Sequence, residues 1–94
     1  MSMYQIFYTK RMRKDLQRVK RRGKDISKLV TVLDLLKTGE PLPETYHDHQ
    51  LKGELEDFRE CHIESNWLLL YRIDEGELIL VATATGTHSD IFGE

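Results

Sequence analysis

The sequence contains one cysteine, Cys61, in 94 residues, so no disulfide can form within it. A lone thiol of this kind is most often a small buried apolar residue. Only two prolines occur, Pro41 and Pro43, and they stand in one short stretch. No apolar run is long enough to span a bilayer. Met1-Ser2-Met3-Tyr4 opens no signal peptide, because charged residues follow from Lys10. A cytoplasmic protein is therefore expected. There is no P-loop, no GxGxxG, no HExxH and no CxxC. Nothing signals nucleotide binding or structural zinc, and no cofactor is expected. Histidine is absent from the first 46 residues.

The composition that remains, 39% apolar and 32% charged, suits one globular domain spanning residues 1–94. The formal net charge of −2 hides an asymmetry. Residues 1–40 carry eleven Lys/Arg against four Asp/Glu, a balance of +7. Residues 41–94 carry three against twelve, a balance of −9. Lys10, Arg11, Arg13, Lys14, Arg18, Lys20, Arg21, Arg22 and Lys24 crowd one short segment. Such a run suits phosphate backbones or an acidic protein segment, although a solvated helix face would carry the same charges.

Tyr4-Gln5-Ile6-Phe7-Tyr8 reads as a strand. Thr9 is placed to cap a helix whose apolar stripe is Met12, Leu16 and Val19, and Gly23 breaks it. Asp25 can cap a second helix with Ile26, Leu29, Val30, Leu33 and Leu36 at helical spacing. Gly39 and the two prolines end that helix. Residues 44–57 show no period and have loop composition up to Gly53. Alternation resumes at Phe58, with Phe58, Glu60 and His62 on one face and Arg59, Cys61 and Ile63 on the other. Trp67–Ile73 is a buried central strand, Asp74-Glu75-Gly76 a hairpin turn, and Glu77–Ala84 the next strand. Gly86-Thr87-His88-Ser89 ends it, and Asp90-Ile91-Phe92 closes the chain. The expected fold is α+β in the order β-α-α-β-β-β, a helical hairpin packed on a mainly antiparallel four-stranded sheet.

The four histidines are His47, His49, His62 and His88. Imidazole gives or takes a proton near neutral pH. Several imidazoles from distant segments can form an acid–base site without a metal. RNA suits such a site because it carries its own nucleophile, the 2′-OH. Its cleavage needs a base for that hydroxyl, an acid for the leaving 5′-oxygen and positive or hydrogen-bonding groups at the phosphate. An aromatic such as Phe92 can stack on an unstacked base. His47-x-His49 could instead supply two metal ligands with His62 or His88. No carboxylate or cysteine stands at a typical ligand spacing, and no metal is expected.

Four segments carry a resemblance, in order and with matching spacing. They are Asp48-His49-x-Leu51-x-Gly53, Phe58-Arg59-x-x-His62-Ile63, Trp67-Leu68-Leu69-x-Tyr71 and Thr85-Gly86-Thr87-His88-Ser89-x-Ile91-Phe92. They resemble the YafQ-type branch of the RelE/ParE toxin superfamily. The resemblance implies a RelE-like microbial RNase fold and the toxin of a type II toxin–antitoxin pair. It implies an endoribonuclease that enters the A site of the 70S ribosome and cuts mRNA by 2′-OH attack, without metal. Residue by residue, it implies His88 as general acid, His49 or His62 as base with His49 favoured, and Phe92 as the aromatic at the site. His47 has no usual counterpart. The cationic segment would meet 16S rRNA or an acidic, helical segment of a small DinJ-type antitoxin. No membrane partner is implied.

Two positions depart from the family pattern. Asn66 stands where Asp is common, and Asn hydrogen-bonds but transfers no proton. Ala84 stands where Arg is common, and Ala cannot contact a phosphate. Removing one preorganised charge partner costs roughly 10²–10³ in rate, so an attenuated nuclease is expected. The competing reading is a non-catalytic binding module, either a ParE-like gyrase inhibitor or an inactive antitoxin-binding member.

Overall fold

Every strand must find partners for its backbone N–H and C=O groups, and here five segments do so in one sheet. The computed structural model describes residues 3–93. The elements are β1 (Gln5–Tyr8), α1 (Lys10–Arg21), α2 (Ile26–Lys37), β2 (His49–Gln50), β3 (Arg59–Glu64), β4 (Trp67–Asp74), β5 (Ile79–Gly86) and α3 (His88–Phe92). Single 3₁₀ turns at Glu44–Tyr46 and Gly53–Leu55 flank β2. The sheet order is β1-β5-β4-β3-β2. β1 runs parallel to β5, and the other pairs are antiparallel.

The α+β class and the mainly antiparallel sheet agree with the sequence reading, but the sheet has five strands and not four. The extra strand, β2, is two residues long and lies inside the segment read as a loop. Two residues cannot show an alternation, so no pattern marks them. The closing segment also differs, because residues 88–92 form a helix.

Local chemistry sets the helix ends. Thr9 Oγ1 accepts the Met12 N–H at 3.0 Å and starts α1. Asp25 Oδ1 accepts the Ser27 N–H at 3.0 Å and starts α2. Between them Gly23 sits at φ +81, a backbone state that favours glycine. Both helices cover one face of the sheet. There Met12, Val19, Leu29, Val32, Leu33 and Leu36 pack on Cys61, Trp67, Leu69, Tyr71, Leu80 and Ala82. Val30, placed in the stripe by its spacing, is 48% exposed, and Val32 takes the inward position. Burial pushes the Cys61 thiol well above its ordinary pKa, consistent with a packing role.

The other face carries a smaller cluster: Leu68, Leu70, Ala84 and Ile91, with Leu51, Phe58 and Phe92 packed against it. Alternation along β4 therefore divides Trp67, Leu69 and Tyr71 from Leu68 and Leu70. A bulge resets this alternation on β5. Tyr71 pairs with Ala82 but Leu70 pairs with Ala84, leaving Thr83 as the extra residue. Leu80 and Ala82 thus face the helices, whereas Ala84 faces the opposite side.

Helix α3 is fixed more by polar contacts than by its apolar anchor. Burying Ile91 yields about 1.5–3 kcal/mol, whereas ordering backbone costs about 1–2 kcal/mol per residue. The difference is made up at Asp90. Thr87 and Asp90 form a reciprocal capping box. Arg22 grips the Asp90 carboxylate at 2.5 and 3.1 Å. Arg11 donates to the Asp90 and Ile91 carbonyls at 2.9 and 2.8 Å. The Arg22 guanidinium and the Thr87 N–H hold the Asp90 carboxyl well below the usual carboxylate range. Gly86, at φ +145, makes room for this, because a Cβ there would lie 2.7 Å from Asp90 Oδ2.

Candidate active site

Sheet register builds the site on the face away from α1 and α2. His49 on β2 lies opposite Glu60 on β3, Glu60 opposite Leu70 on β4, and Leu70 opposite Ala84 on β5. His62, two residues beyond Glu60, lies opposite Leu68 in an adjoining row. His88 enters from the first position of α3. Three imidazoles thereby converge on one oxygen. Glu60 Oε1 is 3.4 Å from His88 Nε2, 3.6 Å from His62 Nε2 and 4.0 Å from His49 Nε2. The Glu60 side chain is only 5% exposed, whereas those of His49 and His88 are about half exposed (51% and 50%). The carboxylate is shielded, whereas the His49 and His88 rings face solvent.

The aromatic rings continue in a row. His47 and His62 meet edge to face at 5.6 Å between centroids. His62 and His88 are 6.1 Å apart, and His88 and Phe92 are 6.0 Å apart. The His47–His49 segment is held from the helix side of the sheet. The Asp48 carboxylate accepts from Arg59 Nη2 at 2.9 Å and from Nε at 3.3 Å, and also from the Tyr71 hydroxyl. Burial and that hydrogen bond push the Tyr71 hydroxyl well above its ordinary pKa, so it remains a donor. His49 Nδ1 lies 2.8 Å from the His47 carbonyl oxygen. A carbonyl only accepts, so the proton is on Nδ1, and Nε2 is free to receive another.

Of the residues singled out by sequence, the structure brings together His49, His62, His88 and Phe92. Asn66 sits in the exposed turn between β3 and β4, in a separate groove with Arg22, Lys24, Gly86 and Thr87. Ala84 is fully buried beside Leu68, Leu70 and Ile91, in the same cross-strand row as His49 and Glu60. Sequence reasoning did not single out Glu60, on which the three imidazoles converge, although alternation already put it on the His62 face. It also set aside His47, which proves to flank His62.

The nine cations separate into two groups. Arg11 and Arg18 pair with Asp15, Arg22 pairs with Asp90, and Lys24 pairs with Glu64. Asp15 is itself buried and accepts the Thr85 N–H at 3.1 Å. These four cations are engaged in ion pairs while their side chains stay partly exposed. Lys10, Arg13, Lys14, Lys20 and Arg21 are exposed and make no ion pair among the described residues. Their spacing puts them on the side of α1 opposite Met12, Asp15 and Val19, facing away from the sheet.

Among the described residues, no group of three or more His, Cys, Asp or Glu side chains is arranged to hold a metal ion. No helix there is long and apolar enough to cross a membrane.

Residues 4–93 match the family described as the bacterial toxin of type II toxin–antitoxin systems, YafQ. The chain is 36% identical over 89 residues to the mRNA interferase toxin YafQ of Escherichia coli K12, covering 94% of this chain and 95% of that protein. The fold superimposes on the toxin chain in the crystal structure of the E. coli DinJ-YafQ toxin–antitoxin complex with a TM-score of 0.87. Identity there is 35%, and 97% of this chain and 99% of that chain are covered. A metal-bound toxin from Helicobacter pylori is similar at a TM-score of 0.90 and 41% identity, covering 96% of this chain and all of that one. With its histidine face, its α3 clamp and this agreement along nearly its whole length, the chain belongs to the YafQ family of type II toxin–antitoxin toxins.

Proposed function

We propose that this protein is an mRNA interferase that cuts mRNA in the ribosomal A site by metal-independent acid–base catalysis. The observation that carries this reading is the convergence of three imidazole Nε2 atoms within 4.0 Å of one buried carboxylate oxygen. His49 takes the proton of the 2′-OH at its free Nε2. The 2′-oxygen bonds to the adjacent phosphorus, and the bond from phosphorus to the 5′-oxygen breaks. Protonated His88 gives its proton to that leaving oxygen. The products are a 2′,3′-cyclic phosphate and a 5′-hydroxyl. Glu60 faces both the ring that gains a proton and the ring that delivers one, and its charge stabilises the imidazolium that His49 becomes. His62 adds positive or hydrogen-bonding character beside the phosphate. Phe92, behind His88, offers a stacking surface to an unstacked base.

The outward stripe Lys10, Arg13, Lys14, Lys20 and Arg21 lies away from the histidine face. It serves as the docking surface for 16S rRNA, with affinity that falls steeply with salt. The partner that silences the toxin is a DinJ-type antitoxin, by analogy with the E. coli complex. Ala84 brings no phosphate contact to the row it shares with His49, so the rate rests on the imidazoles. The complete burial of Ala84 and the position of Asn66 in a separate groove favour the competing, non-catalytic reading.

The deciding experiment is cleavage of a short mRNA on purified 70S ribosomes, mapped by primer extension, for the protein beside His88→Ala. A cut within the A-site codon that disappears in the variant is expected. No cut by either protein would leave an antitoxin-binding module without nuclease activity.

A further inference from the structure

The fourth histidine extends the site. His47 is exposed and sits at φ 49, a left-handed state that histidine adopts at some cost in strain. Asp48 fixes the backbone immediately after it. Together these turn the His47 ring edge-to-face against His62. Beyond His62 opens a groove of about 550 Å³, whose walls include Thr45, His47, His62, Glu64 and Ser65. That volume lies in the range of small-ligand sites. Its one carboxylate, Glu64, is already held by Lys24 and Lys28 at 2.7 Å each. The groove therefore presents a compensated charge to a polyanion, and Thr45, Ser65, His47 and His62 are among its lining residues. His62 belongs both to this groove and to the cluster around Glu60.

We propose that this groove is a nucleotide subsite, in which the base flanking the scissile phosphate stacks on His47. It rests on the reading of the histidine face as an RNA-cleaving site, and it makes His47 a substrate-binding residue. Aromatic stacking accepts any base, and the Thr45 and Ser65 hydroxyls can both donate and accept, so the subsite holds a base without selecting which one. Binding then depends on the presence of a base at one flanking position, whatever its identity. His47 moves no proton in the reaction.

The test is a double-mutant cycle on ribosomes programmed with mRNA made uncleavable by a 2′-deoxy nucleotide at the scissile position. Affinity is measured for the wild type, His47→Ala and His47→Phe, while an abasic nucleotide is moved through the A-site codon and its neighbours. At one flanking position the abasic change is expected to weaken wild-type binding roughly 5- to 150-fold, the range for removal of one base–aromatic stack. The same change should have little effect on His47→Ala, and His47→Phe should behave nearly as the wild type. Equal abasic penalties in all three proteins at every position would overturn the subsite, as would a His47→Phe variant as weak as His47→Ala. Binding without coupling overturns the subsite and leaves the nuclease reading intact. Coupling without cleavage of the all-ribose mRNA does the reverse.

Discussion

Replacing Glu60 with glutamine tests the centre of the site with little change in shape. The carboxylate stands 3.4 Å from His88 Nε2 and 4.0 Å from His49 Nε2. At an effective dielectric of about 20, a unit charge pair at these distances is worth roughly 4–5 kcal/mol. His49 and His88 are half exposed, and solvent screening reduces this to about 2–3 kcal/mol. That stabilisation acts on the imidazolium present during proton transfer. Without it the single-turnover cleavage rate should fall roughly 30- to 150-fold, at about 1.4 kcal/mol per factor of ten. The mRNA affinity should not fall, because the carboxylate is shielded and repels phosphate if it acts on it at all. Stability should stay level or rise. Gln has nearly the volume of Glu and removes a charge from a site whose side chain is 5% exposed. The assay pairs single-turnover cleavage on programmed ribosomes with a thermal melt. A rate within threefold of wild type would refute the role given to Glu60. So would an effect confined to KM, or a slower rate accompanied by a melting-temperature drop of more than about 5 °C, the shift expected for about 1 kcal/mol in a domain of this size.

Further outcomes follow from the clamps around the site. Asp90→Asn should lose about 1–2 kcal/mol by weakening the capping box and the Arg22 pair, a fall of roughly 5–15 °C in Tm at pH 7. Because the Asp90 carboxyl is held low in the fold, its stabilisation is full above the ordinary carboxylate pKa of about 4 and is lost as pH falls below it. The Tm gap between wild type and variant should therefore close in melts taken below about pH 4, and a gap independent of pH would contradict the ion-pair argument. Asp48→Ala should release the His47–His49 segment and leave Arg59 and Tyr71 without their acceptor, costing about 1–3 kcal/mol. Chemical denaturation and cleavage assays should show lower stability and slower cleavage together, with Asp48→Asn intermediate. Lys14→Glu combined with Lys20→Glu should shift Tm by no more than about 4–8 °C, because exposed substitutions away from such clamps rarely exceed ±0.5 kcal/mol each. Ribosome association should weaken, and its salt slope should fall by roughly one unit for each phosphate that the variant no longer neutralises. An unchanged slope would remove the stripe from the interface.

Much of the fold was legible because its signals are local. Thr9 and Asp25 cap where the sequence placed caps, since a short oxygen-bearing side chain before an apolar stripe has few other uses. The alternation at residues 58–63 predicted two faces, and the packing clusters divide along that line. Thr87 and Asp90 carried a capping signal that went unread, because Asp at the third position is a less usual partner than Glu or Gln. The charged segment shows how helical geometry sorts charges that stand together in the sequence. Nine cations in fifteen residues read as one surface, yet helical geometry turns Arg11, Arg18 and Arg22 toward Asp15 and Asp90 and leaves the other helical cations facing outward.

What sequence could not yield is the row across the sheet. His49, Glu60, Leu70 and Ala84 are separated by ten or more residues at each step, and only register aligns them. Register here depends on irregularities. The bulge at Thr83 moves Ala84 to the histidine face, and the shift between His62 and Glu64 lets Glu64 meet Lys24 and Lys28 on the helix side. A one-residue slip would exchange the faces of an entire strand. The same bulge explains why Ala84 need not be a simple deletion of function. Its side chain occupies a fully buried position against Leu68, Leu70 and Ile91. An arginine introduced there must displace Ile91, the apolar anchor of α3, or carry its charge out past it. Overpacking alone costs about 1–3 kcal/mol. Ala84→Arg should therefore lower Tm and loosen His88 before any guanidinium reaches a phosphate. Cleavage that rises in this variant with no fall in Tm would show that the row is open to solvent and that the packing argument is wrong.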